Sequence, residues 1–310
     1  MKNIPSISVL LSTYNGESYL REQLDSIFSQ IDVEVHLVVR DDGSKDNTIE
    51  ILKEYAEKYP YVTILEEENC GCEASFEKLN KYAFEHTNTS FYAYADQDDV
   101  WYSDKLSKSI CSIRDKQLPA LYCCNQMITD ENLKPLRLML DEKNYDRICE
   151  VQKINYFKNR HGCTMVWNHA LMEILGKAKH DPIYTPIHDK WITLLARCSG
   201  DVIIGKEPLQ EYRIHKDNAS GYATGILNRI SKGIKLYWMR DGYNMLYAND
   251  CINNVSLLNT NILGVQYVFW VRNYKLKLWS RLKVACSPQI WKESISEGCI
   301  HSMSVLWGKY

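Results

Sequence analysis

Three carboxylates stand within four residues, at Asp96, Asp98 and Asp99. They follow Phe91-Tyr92-Ala93-Tyr94-Ala95, a short, aromatic-rich run that reads as a buried strand. Carboxylates this close repel one another, and a cation or solvent has to offset that repulsion. A hard divalent ion such as Mg²⁺ or Mn²⁺ takes oxygen ligands and often completes its shell on substrate phosphates. The same residues also suit a polar loop capping a helix that starts near Tyr102. The surrounding elements have to decide between the two.

Those elements alternate. Ile7 to Leu11 is an apolar strand ending in Ser12-Thr13-Tyr14-Asn15-Gly16, and Glu17 to Gln30 places Leu20, Leu24, Ile27 and Phe28 at helical spacing. Val33 to Val39 is a second strand, ending in Arg40-Asp41-Asp42-Gly43-Ser44. A helix over Asn47 to Lys58 stops before Pro60, a strand follows over Val62 to Leu65, and a helix over Ser75 to Glu85 leads into the Phe91–Ala95 strand. This alternation predicts an α/β fold: a Rossmann-like, mostly parallel sheet with helices on both faces. Ligands of such sheets sit at the carboxyl ends of the strands, and Ser12–Gly16, Asp41–Ser44 and Asp96–Asp99 all fall there. Beyond residue 100 the pattern weakens. Strands are predicted over Ala120–Met127, Cys163–Trp167 and Asp201–Ile204, helices over His169–Lys177 and from His188 to about Cys198, and a polar loop over 130–150.

Several function classes drop out. No GxGxxG follows the first strand and no GxxxxGK[ST] occurs, which removes the main support for a dinucleotide-binding oxidoreductase or a P-loop nucleotidase. The 310-residue chain carries a net charge of −2, which argues against nucleic acid as a whole-chain partner. That charge is uneven. Residues 225–310 hold 11 Lys/Arg against 4 Asp/Glu, a surplus of seven, which leaves residues 1–224 at −9. Eleven cysteines without paired CxxC units argue against structural zinc and fit reduced thiols in a cytoplasmic compartment. Met1-Lys2-Asn3-Ile4-Pro5 shows no signal-peptide pattern, and no stretch approaches the roughly 20 apolar residues of a membrane-spanning helix.

Taken together, Ser12-Thr13-Tyr14-Asn15, Asp41-Asp42-Gly43-Ser44 and Asp96-Gln97-Asp98-Asp99-Val100-Trp101 resemble the inverting family 2 glycosyltransferases of GT-A fold. Gly162-Cys163-Thr164-Met165-Val166, His188-Asp189-Lys190-Trp191 and Tyr212-Arg213-Ile214-His215 are similar to a bacterial polysaccharide-assembly subgroup in which rhamnosyltransferases are common. The resemblance spans about residues 5–220 and implies a nucleoside-diphosphate sugar donor, Mg²⁺ or Mn²⁺, and a glycan or lipid-linked glycan acceptor in O-antigen or capsule synthesis. It implies that Ser12, Thr13, Tyr14 and Asp42 hold the nucleoside, with Tyr14 stacking on the base. Asp96 would face the ribose or the metal, and Asp98 would bind the metal. Asp189 would be the catalytic base, with His188 a candidate orienter or competing base. Arg213 would clamp the diphosphate and His215 would be a further metal ligand. Each has a plainer reading: a β-turn at Asp41–Ser44, packing for Tyr14, a helix cap for Asp189, structural roles for Arg213 and His215.

The predicted organisation is a GT-A domain over 1–220 and a helical, basic and aromatic C-terminal appendage over 221–310. Aromatic and basic residues interleave over Val268–Lys283, which suits either contact with an anionic membrane surface at the inner face of the cytoplasmic membrane or packing on the catalytic body. Lys216–Gly221 reads as a flap over the donor. A nucleotidyltransferase and a catalytically silent nucleotide-sugar-binding module are the competing readings. No Gly-rich, Arg-containing loop near the first strand supports the former, and the Asp96, Asp98 and Asp189 set disfavours the latter.

Overall fold

The computed structural model describes residues 4–141, 145, 160–216, 243–258, 263–273, 278–286 and 305. Successive strand residues face opposite sides of a sheet, and here both sides are apolar. From β1 (Ser6–Thr13), Ile7, Val9 and Leu11 enter one core while Leu10 enters the other. The first core is closed by α1 (Leu20–Phe28), α2 (Thr48–Lys58) and α4 (Lys105–Ile113), through Leu24, Leu52 and Ile110 among others. The second is closed by α3 (Cys72–His86), α5 (His169–Lys177) and α6 (His188–Ser199), through Phe76, Leu171 and Ile192. A strand buried on both faces reads as a continuous apolar run, which is why β1 and β4 (Phe91–Ala95) were clear in the sequence.

The sheet order is β3-β2-β1-β4-β8-β6-β9-β5, with β7 on β6. The remaining strands are β2 (Glu34–Asp41), β3 (Val62–Glu66), β5 (Val100–Trp101), β6 (Ala120–Thr129), β7 (Pro135–Leu138), β8 (Met165–Asn168) and β9 (Asp201–Arg213). The expected parallel pairing holds among β3, β2, β1 and β4. The second half is mixed: β8 is antiparallel to both β4 and β6, β9 is parallel to β6, and β5 is antiparallel to β9.

Three sequence expectations are corrected. The loop expected over 130–150 contains β7, whose residues are mostly exposed and so carry no alternating apolar signal. The strand expected over Asp201–Ile204 runs on to Arg213. Gly205, Lys206, Glu207 and Pro208 interrupt its apolar pattern, and register shifts opposite Asn125 absorb the proline. The helix expected from Tyr102 begins at Lys105, so it starts well after the acidic cluster.

Three C-terminal helices, α7 (Tyr243–Asn253), α8 (Leu263–Asn273) and α9 (Leu278–Ala285), bury Tyr247, Ala248, Val268, Val271 and Val284 in the same core as Trp191 and Leu195. Phe269, Arg272, Leu282 and Lys283 lie exposed on them. The boundary expected at 220/221, the flap over Lys216–Gly221 beyond Lys216, and the basic–aromatic positions Tyr237, Trp238, Lys275 and Lys277 lie outside the described residues. Among the described residues no helix is long and apolar enough to cross a membrane, and no disulfide is present.

Candidate active site

From β1 the chain passes to β2 and β3 on one side, then returns to place β4 on the other. The crevice at such a reversal opens between the carboxyl ends of β1 and β4. Gln97 spans it like an extra rung of the ladder. Its Oε1 accepts from the Tyr14 N–H at 2.9 Å, and its Nε2 donates to the Tyr14 carbonyl at 3.1 Å. A Cβ at Gly16 would lie 2.5 Å from that Oε1, so this position has to lack a side chain for Gln97 to seat. Tyr14 itself is 47% exposed, an aromatic face open at the crevice.

The first two turns hold each other. The Asp42 N–H donates to the Thr13 carbonyl at 2.8 Å, the Thr13 hydroxyl to Asp41 Oδ1 at 3.0 Å, and the Asn15 N–H to Ser44 Oγ at 2.8 Å. Asp41 also accepts from the Ser44 N–H and hydroxyl, which is the expected Asx-type turn. Ser12 Oγ meets Ser75 Oγ at 2.6 Å. Asp42 is buried, with Oδ1 accepting from Arg40 Nη1 at 2.5 Å and the Cys70 N–H at 2.8 Å, and Oδ2 from the Gly71 N–H at 2.9 Å. Burial pushes its pKa up, but the Arg40 guanidinium and the Cys70 and Gly71 donors outweigh that and hold it below the usual carboxylate range. These bonds tie the β3–α3 loop to the first two turns.

At the end of β4 the four cluster positions take different directions. Asp98 Oδ2 lies 2.7 Å from His215 Nε2, and Arg213 Nε donates to the Asp98 carbonyl at 3.0 Å. Arg213 and His215 thus both meet Asp98. Arg213 is buried and also donates to the Glu131 carbonyl, pairs with Glu22 and lies over the Tyr19 ring. Asp99 is fully buried beneath the cluster. Gln210 Nε2 donates to its Oδ2 at 2.8 Å, while Gln210 Oε1 accepts from Lys105 Nζ at 2.5 Å. Lys105, also fully buried, donates to the Cys163 carbonyl at 2.6 Å and lies 3.5 Å from the Trp101 ring centroid. The amide of Gln210 therefore links a buried ammonium to a buried carboxyl. Burial first, then repulsion from Asp98 and Asp96, drives the Asp99 pKa well above its ordinary value.

Asp189 lies in the first turn of α6, whose N-cap is Ile187 rather than Asp189. Its charge reaches the cluster. Asp96 is pushed up to about 7 by burial, then by Asp98 and, after a lowering bond from Cys163, by Asp189. The Cys72 thiol at the start of α3 is pushed up to about 12 by burial and then by Asp96, Glu73, Asp189 and Asp42. The acids of the β2 turn, the β4 end and the α6 start therefore all lie near enough to the Cys72 thiol to act on it. His188 stacks on Phe76 with ring centroids 3.9 Å apart and meets Tyr94 edge-on at 4.9 Å. Burial pushes its pKa down to about 3, so the ring is neutral, and neither nitrogen has a hydrogen-bond partner among the described residues. A Cβ at Gly162 would lie 2.4 Å from His188 Nε2, so the glycine makes room for that ring.

Oxygen donors with one imidazole are of the kind that suits Mn²⁺ or Mg²⁺, and Asp96, raised first by burial and then by Asp98 and Asp189, is a carboxyl whose charged form a cation would favour. Asp98 and His215 lie within hydrogen-bond distance of each other there. A second convergence lies deeper, where ligand atoms of Asp96, Asp99 and Cys163 come within 4.8 Å of one another. Cys163 is buried and its thiol pKa is pushed well up by burial and then by Asp99 and Asp96, so it offers a hard cation little. Sequence reasoning gave no role to Gln97, Arg40, Lys105 or Gln210.

Among solved structures the chain is similar to S. aureus TarS 1-349 in complex with UDP, with TM-score 0.58 and 15% identity over 98% of this chain and 92% of that one. It is also similar to the mannosyltransferase PcManGT from Pyrobaculum calidifontis in complex with GDP-Man and Mn²⁺, with TM-score 0.56 and 16% identity over 100% and 89%. These likenesses bear on the fold, which is GT-A. An uncharacterized glycosyltransferase of Rickettsia typhi is 28% identical over 217 residues, and the chain spans 64% of its length. A dTDP-rhamnosyl transferase, RfbG, of Shigella flexneri is 39% identical over 103 residues, which are 32% of this chain and 35% of that protein. Residues 8–175, more than half of the chain and the stretch that carries the β1 and β2 turns and the acidic cluster, match glycosyl transferase family 2, and the chain belongs to that family.

Proposed function

We propose that this protein is a metal-dependent, inverting transferase that moves a sugar from a nucleoside-diphosphate sugar to a hydroxyl of a glycan or lipid-linked glycan. The observation that supports this reading is that the β1, β2 and β4 ends meet at one crevice, where Gln97 bonds Tyr14 and Asp98 meets His215, with Asp189 near enough to Asp96 to raise its pKa. In this reading Ser12, Thr13, Tyr14 and Asp42 seat the nucleoside, with the exposed Tyr14 ring as the stacking face. Arg213 donates to the Asp98 carbonyl and would face the diphosphate from there. Asp98 and His215 would hold Mg²⁺ or Mn²⁺, which supplies positive charge against the departing diphosphate when bound.

The transfer is a single displacement. The acceptor oxygen bonds to the anomeric carbon as that carbon's bond to the diphosphate oxygen breaks. The electron pair leaves with the nucleoside diphosphate, and the hydroxyl proton passes to the Asp189 carboxylate. A base so placed contributes about 10²–10⁴-fold. A dTDP-rhamnose donor is the specific form of the reading, supported by the likeness to the Shigella protein, and a role in O-antigen or capsule assembly is what the motif resemblance adds.

Calorimetry with Mn²⁺ and a panel of dTDP-rhamnose, UDP- and GDP-sugars tests the donor side. Asp98→Ala should abolish metal-dependent donor binding, and unchanged affinity refutes the metal assignment. Asp189→Asn should retain donor binding and lose transfer by about 10²-fold or more. Near-normal turnover in that variant moves the base elsewhere.

A further inference from the structure

The loop that delivers Asp189, residues 178–187 between α5 and α6, is gripped from outside the family-matched region. The grip comes from one face of α7 and the residue following it. Asn254 takes both backbone groups of Lys179: its Oδ1 accepts the N–H at 2.9 Å and its Nδ2 donates to the carbonyl at 2.6 Å. One turn earlier, Asp250 accepts from the Asp181 N–H at 3.0 Å and from the Tyr184 hydroxyl. One further turn back, the Tyr247 hydroxyl oxygen accepts from the Ile187 N–H at 2.8 Å. Positions 247, 250 and 254 share one helix face, and they meet the loop at its beginning, middle and end.

Ile187 is the N-cap of α6, and no side chain caps that helix, so its entry geometry depends on such outside contacts. The Tyr247 ring also meets Trp191, one turn into α6, with centroids 6.2 Å apart. One tyrosine therefore braces both ends of the turn in which Asp189 sits. All three gripping residues are nearly or fully enclosed, Tyr247 at 3%, Asp250 at 1% and Asn254 at 6% exposure, so water does not compete freely for these bonds. The loop's own bonds cluster at its middle, where Asp181 Oδ1 accepts the Ile183 N–H at 3.0 Å and the Asp181 carbonyl the Tyr184 N–H at 3.3 Å, so its two ends are held by α7 and the residue after it, with a further link to α3 through the His180–Glu77 pair at 2.8 Å.

We infer that α7 is a positioning element of the active site, with Tyr247, Asp250 and Asn254 fixing the loop and thereby the place of the Asp189 carboxylate. The C-terminal helices then serve the acceptor side of the reaction as well as burying apolar surface. This inference rests on the reading of Asp189 as the base, and its test keeps the two apart.

Hydrogen exchange on the full chain is compared with turnover, measured as nucleoside diphosphate release from whichever donor of the panel above is consumed with Mn²⁺. Tyr247→Phe keeps the ring and removes the acceptor of the Ile187 N–H. Exchange over 184–191 should speed up by about fivefold while β1–β4 stay protected. The kcat should fall by about five- to tenfold with donor KM within about twofold. Asn254→Ala should do the same from the far end of the loop. In an Asp189→Asn background Tyr247→Phe should add no further loss. If Asp189→Asn is inactive but Tyr247→Phe and Asn254→Ala leave exchange and kcat unchanged, the positioning role is wrong and the base assignment stands. If Asp189→Asn turns over normally, the base assignment falls and the positioning role falls with it.

Discussion

The two halves of the sheet build their share of the site in opposite ways. In the parallel half the polar contacts are shorter in sequence: Arg40 with Asp42 and Asp41 with Ser44 within three residues, Thr13 with Asp41 across 28, Ser12 with Ser75 across 63. In the mixed half every contact to the acidic cluster comes from far along the chain. His215 meets Asp98 across 117 residues, and Gln210 meets Asp99 across 111. Each half has a fully enclosed cation near acids, Arg40 in the first and Lys105 in the second. The difference is what surrounds the cation. Arg40 grips the acid directly and has Glu67, Ser75 and the Glu68 carbonyl besides, whereas Lys105 reaches Asp99 through the Gln210 amide. A local motif can therefore stabilise its own charges, while a site assembled from distant segments depends on the whole sheet closing.

That contrast can be broken most strongly at Lys105. Lys105→Met strips the donor from the Cys163 carbonyl and Gln210 Oε1 and leaves Asp99 beside Asp96 without that ammonium. The expected loss is about 3–5 kcal/mol in urea unfolding. Adding Asp99→Asn should recover part of it, and a loss below about 1 kcal/mol would dissolve the comparison. Arg40→Met should lose somewhat less, about 2–3 kcal/mol, because the Cys70 and Gly71 N–H groups still serve Asp42. The pH dependence carries a sign. The Asp42 pKa is held low in the folded protein, so its contribution is present above the unfolded carboxylate value of about 4 and lost as pH falls through the folded one. The gap between wild type and Arg40→Met should narrow in acid, and a constant gap would mean that Asp42 is not the partner that matters.

Gln97 sits between the halves. Gln97→Ala should cost about 1–2 kcal/mol for two lost bonds, and it should weaken nucleotide binding severalfold in calorimetry. Gly16→Ala should be less harmful in that background than in wild type, because its Cβ would no longer meet the Gln97 amide. The smallest expected effect is at His180. Burial works against its charged form, yet the bonds to Glu77 and the Asp181 carbonyl prevail and raise its pKa. The pair's contribution is full below the unfolded value of about 6.5 and disappears as pH rises through the folded value. The fall should be about 0.5 kcal/mol by thermal melts, given that Glu77 is half exposed, and absent in Glu77→Gln.

The same contrast explains what could be read from the chain alone. Strands β1, β2 and β4 and their polar ends were legible because apolar runs and turn residues are local signals. The continuation of β9 past Ile204 was not, since Pro208 breaks the pattern and only pairing with β6 restores it. Lys105 left a trace: it shares the inward face of α4 with Leu106, Ser109, Ile110 and Ile113, and a lysine on an apolar face asks for a partner. Which partner was invisible, because Gln210 and Cys163 become neighbours only through β8 and β9. Asp42 and Arg213 were legible as residues, but their bonds to Arg40, Cys70, Gly71, Glu22 and Glu131 required the folded loops.

The order in which the chain leaves the ribosome gives the long reach of β9 a further consequence. The first four parallel strands are available once residue 95 has emerged, whereas the acids that follow them wait for Gln210, Arg213 and His215. The cluster's acids are thus made more than a hundred residues before the side chains that bond them, so any truncation ahead of residue 210 would leave them without Gln210, Arg213 and His215.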